Sequence, residues 1–329
     1  MFGFLLTVLT YVGFQVILTL GLNIQFGVTG MLNLAYIVFM AVGAYVTAVV
    51  MLPPAQPPFT YYVLGLRWPF PVAMVLGVLA AGALAAVLGL VALGPRLRKD
   101  YLGIATLVTA AAIAQGVAQF RPLFNGFQGL IDIPQPFGSR WDPTFFDLAF
   151  LLLVSGVALV VFLLAERIRR SPMGRTLRAI REDEVAARAF GTNIYMMKLK
   201  AFVIGAMIAG AAGALTAVYV TAFTTSGWAV GETIVALTCV FIGGAGNNWG
   251  SLLGAFVVVA VVNQGLEVLL PLLPAIPSDP SFIPVVQVML VNLLLILVLR
   301  WRPRGLFPER VVKLPERFRS APVTSAEGR

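Results

Sequence analysis

Long apolar runs alternate with short polar stretches along the whole chain. Nine apolar segments of about 16 to 24 residues stand between the polar stretches, and a helix needs about 20 mainly apolar residues to cross a bilayer. Their continuous Ala, Leu, Val and Gly content disfavours the alternating strands of a membrane β-barrel. The pattern predicts an all-α polytopic membrane protein with about nine transmembrane helices, in a range of eight to ten. The predicted spans are 2–22, 33–52, 70–93, 102–120, 145–165, 201–221, 231–246, 250–270 and 283–299.

Two of these segments need comment. Segment 231–246 is short for a span, which leaves a tilted, a broken and a re-entrant helix as alternatives. Segment 2–22 has neither a basic region before it nor a small-residue cleavage site after it. We therefore expect it to be the first span and not a cleaved signal peptide.

Composition narrows the chemistry that the chain can carry. The 329 residues are 59% hydrophobic and 11% charged, with no histidine and one cysteine, Cys239. This content excludes a Cys/His metal centre, an internal disulfide and a histidine proton relay within the chain. The net charge of +9 could attract nucleic acid in a soluble protein, but basic loops at one membrane face are the better explanation here. We predict no nucleic-acid partner and no cofactor on this chain.

The basic residues collect in three places. The loop 94–101, the block 166–200 and the tail 300–329 hold 20 of the 23 Lys and Arg residues. By the positive-inside rule these regions are cytoplasmic, which nine spans satisfy with the N-terminus outside and the C-terminus inside. We expect one transmembrane domain over 1–310 and a basic, disordered cytoplasmic tail over 311–329.

Two segments mix glycines and amides between apolar runs. Segment 21–45 predicts a broken or re-entrant helix, because exposed backbone at membrane depth must face protein or a water-filled cavity. Transporters bind solute near such breaks, although a short turn with glycine-mediated helix packing explains the pattern equally well. Segment 241–254 has the same chemistry, and a tight turn is slightly favoured there. The candidate pathway residues in the first segment are Asn23, Gly27, Gly30 and Asn33, with Gln25 beside them.

Polar side chains also occur inside the predicted spans. Gln115 and Gln119 are four residues apart, so they share one face of a helix and are further pathway candidates. Hydrogen bonding between helices is the alternative for each of them. No series of acidic or basic side chains crosses the middle of the spans, which argues against a proton-pumping relay.

The most charged block is 171–191, with the sequence SPMGRTLRAIREDEVAARAFG. Ser171 suits a helix N-cap, and Gly191 suits the position just past a helix end, which predicts one helix over 172–189. Its apolar residues roughly follow helical spacing and predict one apolar stripe, made of Met173, Leu177, Ile180 and Val185.

Two partners could hold this predicted helix. An amphipathic helix on anionic lipid is one possibility. The acidic triplet 182–184 would be repelled by that lipid, so a protein groove is favoured. The chain also contains no Gly-Lys dipeptide and hence no Walker A phosphate loop, so an ATPase that drives it must be a separate chain.

With these motifs in view, the chain resembles the branched-chain amino acid ABC transporter permeases. The block 171–191 followed by KLKAF is close to the pattern of their cytoplasmic loop, and the segments GLNIQFGVTGMLNLAY, RKDYLGIATL, GGAGNNWGSLLGA and RWRPRGLFP agree as well. The resemblance covers about 15–310 and favours the M-type of the two permease subunits. Asn247 departs from the Ser or Thr of the family, so this chain has no hydroxyl at that position.

The resemblance implies a machine of several chains in the plasma (inner) membrane of a bacterium or archaeon. A second permease subunit, two cytoplasmic ABC ATPase subunits that bind ATP and Mg, an extracytoplasmic solute-binding protein and membrane lipid would be its partners. The block 171–191 would be the coupling helix that docks on the ATPase. The positions implied for this contact are Ala179, Ile180, Arg181, Glu182, Asp183, Glu184 and Gly191.

The sequence alone leaves alternatives to this function open. The urea and short-chain amide permeases share nearly all of these features. A secondary carrier or channel that needs no ATPase is the alternative from another class, and a purely structural membrane protein fits the paired Gly/Asn breaks least.

Overall fold

The computed structural model describes residues 2–57, 60–94, 99–136, 142–228, 230–269, 282–302 and 305–308, and these ranges contain helices and loops without a strand. The helices are α1 (Phe2–Leu22), α2 (Tyr36–Met51), α3 (Phe70–Ala92), α4 (Lys99–Gln119), α5 (Arg121–Phe124), α6 (Pro143–Arg170), α7 (Pro172–Glu182), α8 (Glu184–Ala189), α9 (Ile194–Val220), α10 (Val230–Gly243), α11 (Asn248–Phe256), α12 (Gly265–Leu269) and α13 (Phe282–Trp301).

The helical class that the apolar pattern predicts is confirmed. In the described ranges, six helices are long and apolar enough to cross a membrane, and three shorter apolar helices lie at 36–51, 231–243 and 285–301. Together they fall on the nine predicted segments. Nine complete crossings stay a prediction, because the shorter helices do not reach the length of a span by themselves.

Two helices change their winding next to the Gly/Asn segments. α1 continues without a break into a π-helical stretch, Asn23–Val28, and the chain then returns through 29–35 to α2. α11 likewise continues into a π-helical stretch, Val257–Gln264. Segment 21–45 therefore has a widened last helical turn followed by a short loop to the next helix, which is the form of the turn alternative, and a broken or re-entrant membrane element there stays a prediction. Segment 241–254 contains the expected tight turn, at 244–247.

The bundle has an inner and an outer set of helices. In their most apolar stretches, 78% of the residues of α9 and 67% of those of the first helix are buried, whereas only 28% are buried in α3 and 22% in α6. α9 packs closely on α2, where a Cβ at Gly213 would overlap the carbonyl oxygen of Met40. Small residues at this crossing let the two backbones approach, as is typical of helices packed in a membrane.

An aromatic cluster closes one end of the bundle. The Tyr45 ring stacks on Phe124 at 4.7 Å between centroids, and the indole nitrogen of Trp228 donates to the Tyr45 hydroxyl at 3.3 Å. α7 and α8 lie at the other end, which we call the arm end, and the two helices together are called the arm. The fold thus separates an end with packed aromatic rings from an end that carries the charged arm.

Two expectations about the arm are wrong. A single helix over 172–189 does not form, because Asp183 adopts extended backbone (φ −149°, ψ 109°) and divides α7 from α8. This break changes the helical phase, so Val185 is 79% exposed and does not continue the predicted apolar stripe. The expectations for the tail 311–329 and for part of the loop 94–101 lie outside the described residues.

Candidate functional site

The arm is built from well-capped short helices. The Ser171 hydroxyl accepts from the backbone N–H of Gly174 at 3.2 Å, and the Asp183 carboxylate accepts from Val185 and Ala186 at 2.8 and 3.1 Å. Gly191, with φ of 77°, ends the arm in the left-handed conformation. Ser171 as N-cap and Gly191 as stop are therefore confirmed, and Asp183 is an additional cap. Each cap satisfies backbone groups that a helix end leaves unpaired.

Side chains also fix the arm to the start of α9. Ile180, Ala187 and Ile194 form a small buried cluster of their own, with one residue from each of the three helices. The Glu184 carboxylate forms an ion pair with the Lys198 ammonium, and both side chains are mostly buried, at 21% and 13% exposure. These contacts hold α7 and α8 as one unit at the base of α9.

Six of the seven predicted coupling residues divide into two groups, and Arg181 is described below. Ala179, Glu182, Asp183 and Gly191 are exposed, whereas Ile180 is fully buried and Glu184 is engaged with α9. The exposed surface of the arm also includes Phe190, which is 89% exposed. Sequence reasoning missed Phe190, although its position directly before a helix-stopping glycine could have marked it as the tip of a projection.

Arg181 connects the arm to the interrupted segment of α1. Its guanidinium donates to the carbonyl oxygen of Gly27, and its aliphatic stem lies against Gly30, where a Cβ would come within 2.8 Å of the Arg181 Cγ. Gly30 has φ of 74°, so a residue with a side chain would be strained there as well. The arm thus bears directly on the π-helical end of the first helix.

Asn23 links this π-helical stretch to the second Gly/Asn segment. Its side-chain oxygen accepts from the backbone N–H of Gly246 at 2.9 Å, and its amide nitrogen donates to the side-chain oxygen of Asn248 at 3.0 Å. Asn23 and Asn248 are 0% and 1% exposed. A Cβ at Gly27 would overlap the Asn23 side-chain oxygen, so this glycine provides the space that the contact needs.

The hydrogen bonds continue from Asn248 back to the root of the arm. The Asn248 amide donates to the Glu166 carboxylate at 3.1 Å, and the same carboxylate pairs with Arg169 at 2.6 Å and Arg170 at 2.7 Å. Arg170 is the last residue of α6, directly before the Ser171 cap. We call this set the joint: Asn23, Gly246, Asn248 and Glu166 are hydrogen-bonded, and Gly27 packs on Asn23.

A second buried pair lies near the joint. The Gln25 amide donates to the Phe202 carbonyl at 2.7 Å, and the Asn33 amide donates to the Gln25 side-chain oxygen at 2.9 Å. The Asn33 oxygen in turn accepts from Ala35 N–H at 3.0 Å, at the start of α2. These bonds join the end of the first helix to α9 and to the return of the chain.

The pathway candidates are therefore found in two different places. Asn23, Gly27, Gly30 and Asn33 come together at the arm end, where the polar atoms of Asn23 and Asn33 bond to protein. Gln115 and Gln119 lie on the exposed side of α4 and share no hydrogen bond with the joint among the described residues. A solute-contacting role for any of the six stays a prediction.

Asn247 is the N-cap of α11, and this role accounts for an asparagine in place of the Ser or Thr of the family pattern. Its side-chain oxygen accepts from Trp249 N–H at 3.1 Å, and its amide donates to the Phe307 carbonyl at 3.1 Å. Asparagine is as good an N-cap as serine or threonine, so the missing hydroxyl is replaced by an equivalent acceptor. In the ranges that the structure covers, no three His, Cys, Asp or Glu side chains are grouped as metal ligands would be.

Comparison with known proteins gives the same family over nearly the whole chain. The family model described as branched-chain amino acid transport system / permease component matches residues 4–299. The chain is 31% identical over 317 residues to the high-affinity branched-chain amino acid transport system permease protein LivM of Escherichia coli (strain K12), covering 89% of this chain and 67% of that protein.

An archaeal relative agrees with the bacterial one. The probable branched-chain amino acid transport permease protein LivM of Methanocaldococcus jannaschii is 29% identical over 251 residues, which cover 74% of this chain and 70% of that protein. No solved structure matches the chain. The relatives are permease components, and the apolar helices agree with a multi-pass membrane protein. The chain belongs to the family of branched-chain amino acid transport system permease components.

Proposed function

We propose that this chain is a permease subunit of an ABC importer that moves branched-chain amino acids across a bacterial or archaeal plasma membrane. A second permease subunit completes the membrane domain, and an extracytoplasmic solute-binding protein delivers the solute. ATP and Mg bind to separate ATPase chains, and the arm receives their movement. In this proposal the arm end and the C-terminus face the cytoplasm, in keeping with the basic residues of the arm.

The observation that carries the proposal is the construction of the arm. Short exposed helices are marginally stable in water by themselves. In the arm, both helices are capped, and Glu184 ties the arm to α9. Its outer surface keeps a large aromatic residue in water, at Phe190. A rigid projection with an exposed aromatic anchor is typical of a surface that binds another protein.

The mixed charges of the arm favour a protein partner over lipid. Glu182 and Asp183 are both exposed at the middle of the arm, where anionic headgroups would repel them. Arg175 and Arg188 are exposed nearby, so the surface offers both signs of charge to a complementary groove.

Co-purification of the cognate ATPase tests the docking part of the proposal. We expect the ATPase to be retained by the wild-type chain and lost from Glu182→Lys, because this change reverses a charge on the exposed surface of the arm. Asp142→Lys is the matched control, since Asp142 is exposed at the aromatic end, where α6 begins. Equal retention by both variants would count against docking through the arm.

The solute is tested separately on the binding protein. Calorimetric titration of the cognate binding protein with leucine, isoleucine and valine should give saturable binding, and titration with urea or acetamide should give none. The reverse result would assign the system to the urea and amide permeases.

A further inference from the structure

The joint connects two parts of the chain that would have to move together during ATP-driven transport. The first is the arm, with its root at Arg170 and its far contact at Arg181. The second is the pair α1 and α11, each continued by a π-helical stretch, which we call the interrupted helices. They meet where Asn23 binds Gly246 and Asn248. The separation of Asn23 and Asn248 by 225 positions in the sequence shows that this contact is tertiary.

These contacts form a closed circuit. From the far part of α7, Arg181 holds the carbonyl of Gly27, and Gly27 packs on the side chain of Asn23. From the root of the arm, Glu166 holds Asn248, which holds the same Asn23. Arg181 lies on α7, and Glu166 lies in the last turns of α6, which lead directly into α7 through Ser171. A displacement of the arm therefore acts on Asn23 from two sides.

The π-helical winding at the end of the first helix makes this a place where the helix can deform. Asn23 is the first residue of the π-helical stretch Asn23–Val28, and Gly27 lies within the stretch. Short π-helical turns widen the helix and often occur at functional sites. The Asn23 side chain, with both ends bonded to protein, specifies one relative position of the two interrupted helices, whereas apolar contacts alone would let them slide.

We infer that Asn23 is the positioning residue through which the arm sets the relative position of the two interrupted helices, with Asn248 and Glu166 as its connection to the root of the arm. This inference rests on the proposed function. It assigns to Asn23 a role in transmitting movement, in place of contact with the solute.

The test compares solute transported with ATP hydrolysed in the complete complex. Permease pair, ATPase and binding protein are reconstituted in proteoliposomes, and both rates are measured at saturating solute. Asn23→Leu keeps the number and branching of the side-chain heavy atoms and removes both hydrogen bonds. We expect ATPase binding and hydrolysis to persist, because hydrolysis takes place on another chain, while solute moved per ATP falls at least about tenfold, the factor for one lost buried hydrogen bond.

Thr10→Val is the matched control. Thr10 is a fully buried polar residue in the same helix, and among the described residues its hydroxyl bonds only within that helix, to Leu6 at 2.8 Å. The change also replaces a buried polar group by an apolar one of similar size, so it reproduces the general cost to stability. We expect its ratio of solute to ATP to equal that of the wild type.

If Asn23→Leu does not assemble, Glu166→Gln decides. The Glu166 side chain is 12% exposed and lies at the arm end, so this change of equal size is compatible with folding. It removes the charge that holds Arg169 and Arg170, and we expect solute per ATP to fall roughly threefold or more, the effect of weakening a charge-assisted hydrogen bond.

Three results would overturn the inference. One is an unchanged ratio of solute to ATP in a folded Asn23→Leu complex, or in Glu166→Gln where the first variant is lost. The second is loss of ATPase binding in Asn23→Leu. The third is a raised half-saturating solute concentration with the ratio intact, which would make Asn23 a solute contact. A wild-type complex without ATP-dependent uptake would instead refute the proposed function.

Discussion

Removal of the Phe190 side chain is the sharpest perturbation of the arm. Phe190 is 89% exposed, so Phe190→Ala should change the free energy of unfolding by no more than about 0.5 kcal/mol. If the ring is buried on docking, its transfer from water contributes about 1.5–3 kcal/mol to binding. At 1.4 kcal/mol per factor of ten, the Kd for the ATPase should rise about 10- to 150-fold.

The assay is direct titration of the ATPase onto the permease in nanodiscs. Phe127→Ala is the control, because Phe127 is 67% exposed beside the aromatic end and loses the same side chain. We expect its Kd to match the wild type. An unchanged Kd for Phe190→Ala, or an equal rise for Phe127→Ala, would refute the reasoning that the exposed ring anchors the ATPase.

Three further changes probe how the arm is built. Gly191→Val should lower transport with membrane insertion intact, because the left-handed backbone there costs a β-branched residue about 1–3 kcal/mol. A steric clash is not the cause, since a Cβ at Gly191 meets no atom within 4 Å. Gly156→Val, in equally open space within α6, should leave transport unchanged. Asp183→Ala should cost α8 about 1 kcal/mol and speed hydrogen exchange over 184–189, and unchanged exchange would contradict its role as a cap. Lys198→Met removes the ion pair that holds the arm to α9 and should lower transport. The exchanged pair, Glu184→Lys with Lys198→Glu, should restore transport if the ion pair acts through attraction alone.

Local rules were enough to predict the parts of the site that depend on neighbouring residues. The Ser171 cap and the Gly191 stop follow from conformational preferences of single residues, and the structure has both. The apolar segments likewise predict the helices, because length and composition decide membrane crossing before any tertiary contact.

The spacing of apolar residues does not reveal the break at Asp183, because the signal for it is a capping side chain. An aspartate followed by helix-forming residues can satisfy the first N–H groups of a new helix, and here it accepts from two of them. The exposed ring of Phe190 was missed for another reason. Apolar residues are expected inside, and only the projection of the arm leaves this one in water.

The joint could not be predicted from sequence in the same way. The amides of segments 21–45 and 241–254 stood out as a shared composition, but nothing local pairs Asn23 with Asn248 or directs Arg181 to the Gly27 carbonyl. These contacts depend on how α1, α11 and the arm pack together. A single sequence shows which residues are present, but it does not show which of them pair in the fold.

ATP-dependent uptake tests the central claim most directly. Proteoliposomes that hold this chain, its permease partner and the ATPase, with ATP inside and the binding protein and labelled leucine outside, should accumulate leucine, and vesicles with ADP or without the ATPase should not. Leucine accumulation driven by an ion gradient through this chain without the ATPase would contradict the account.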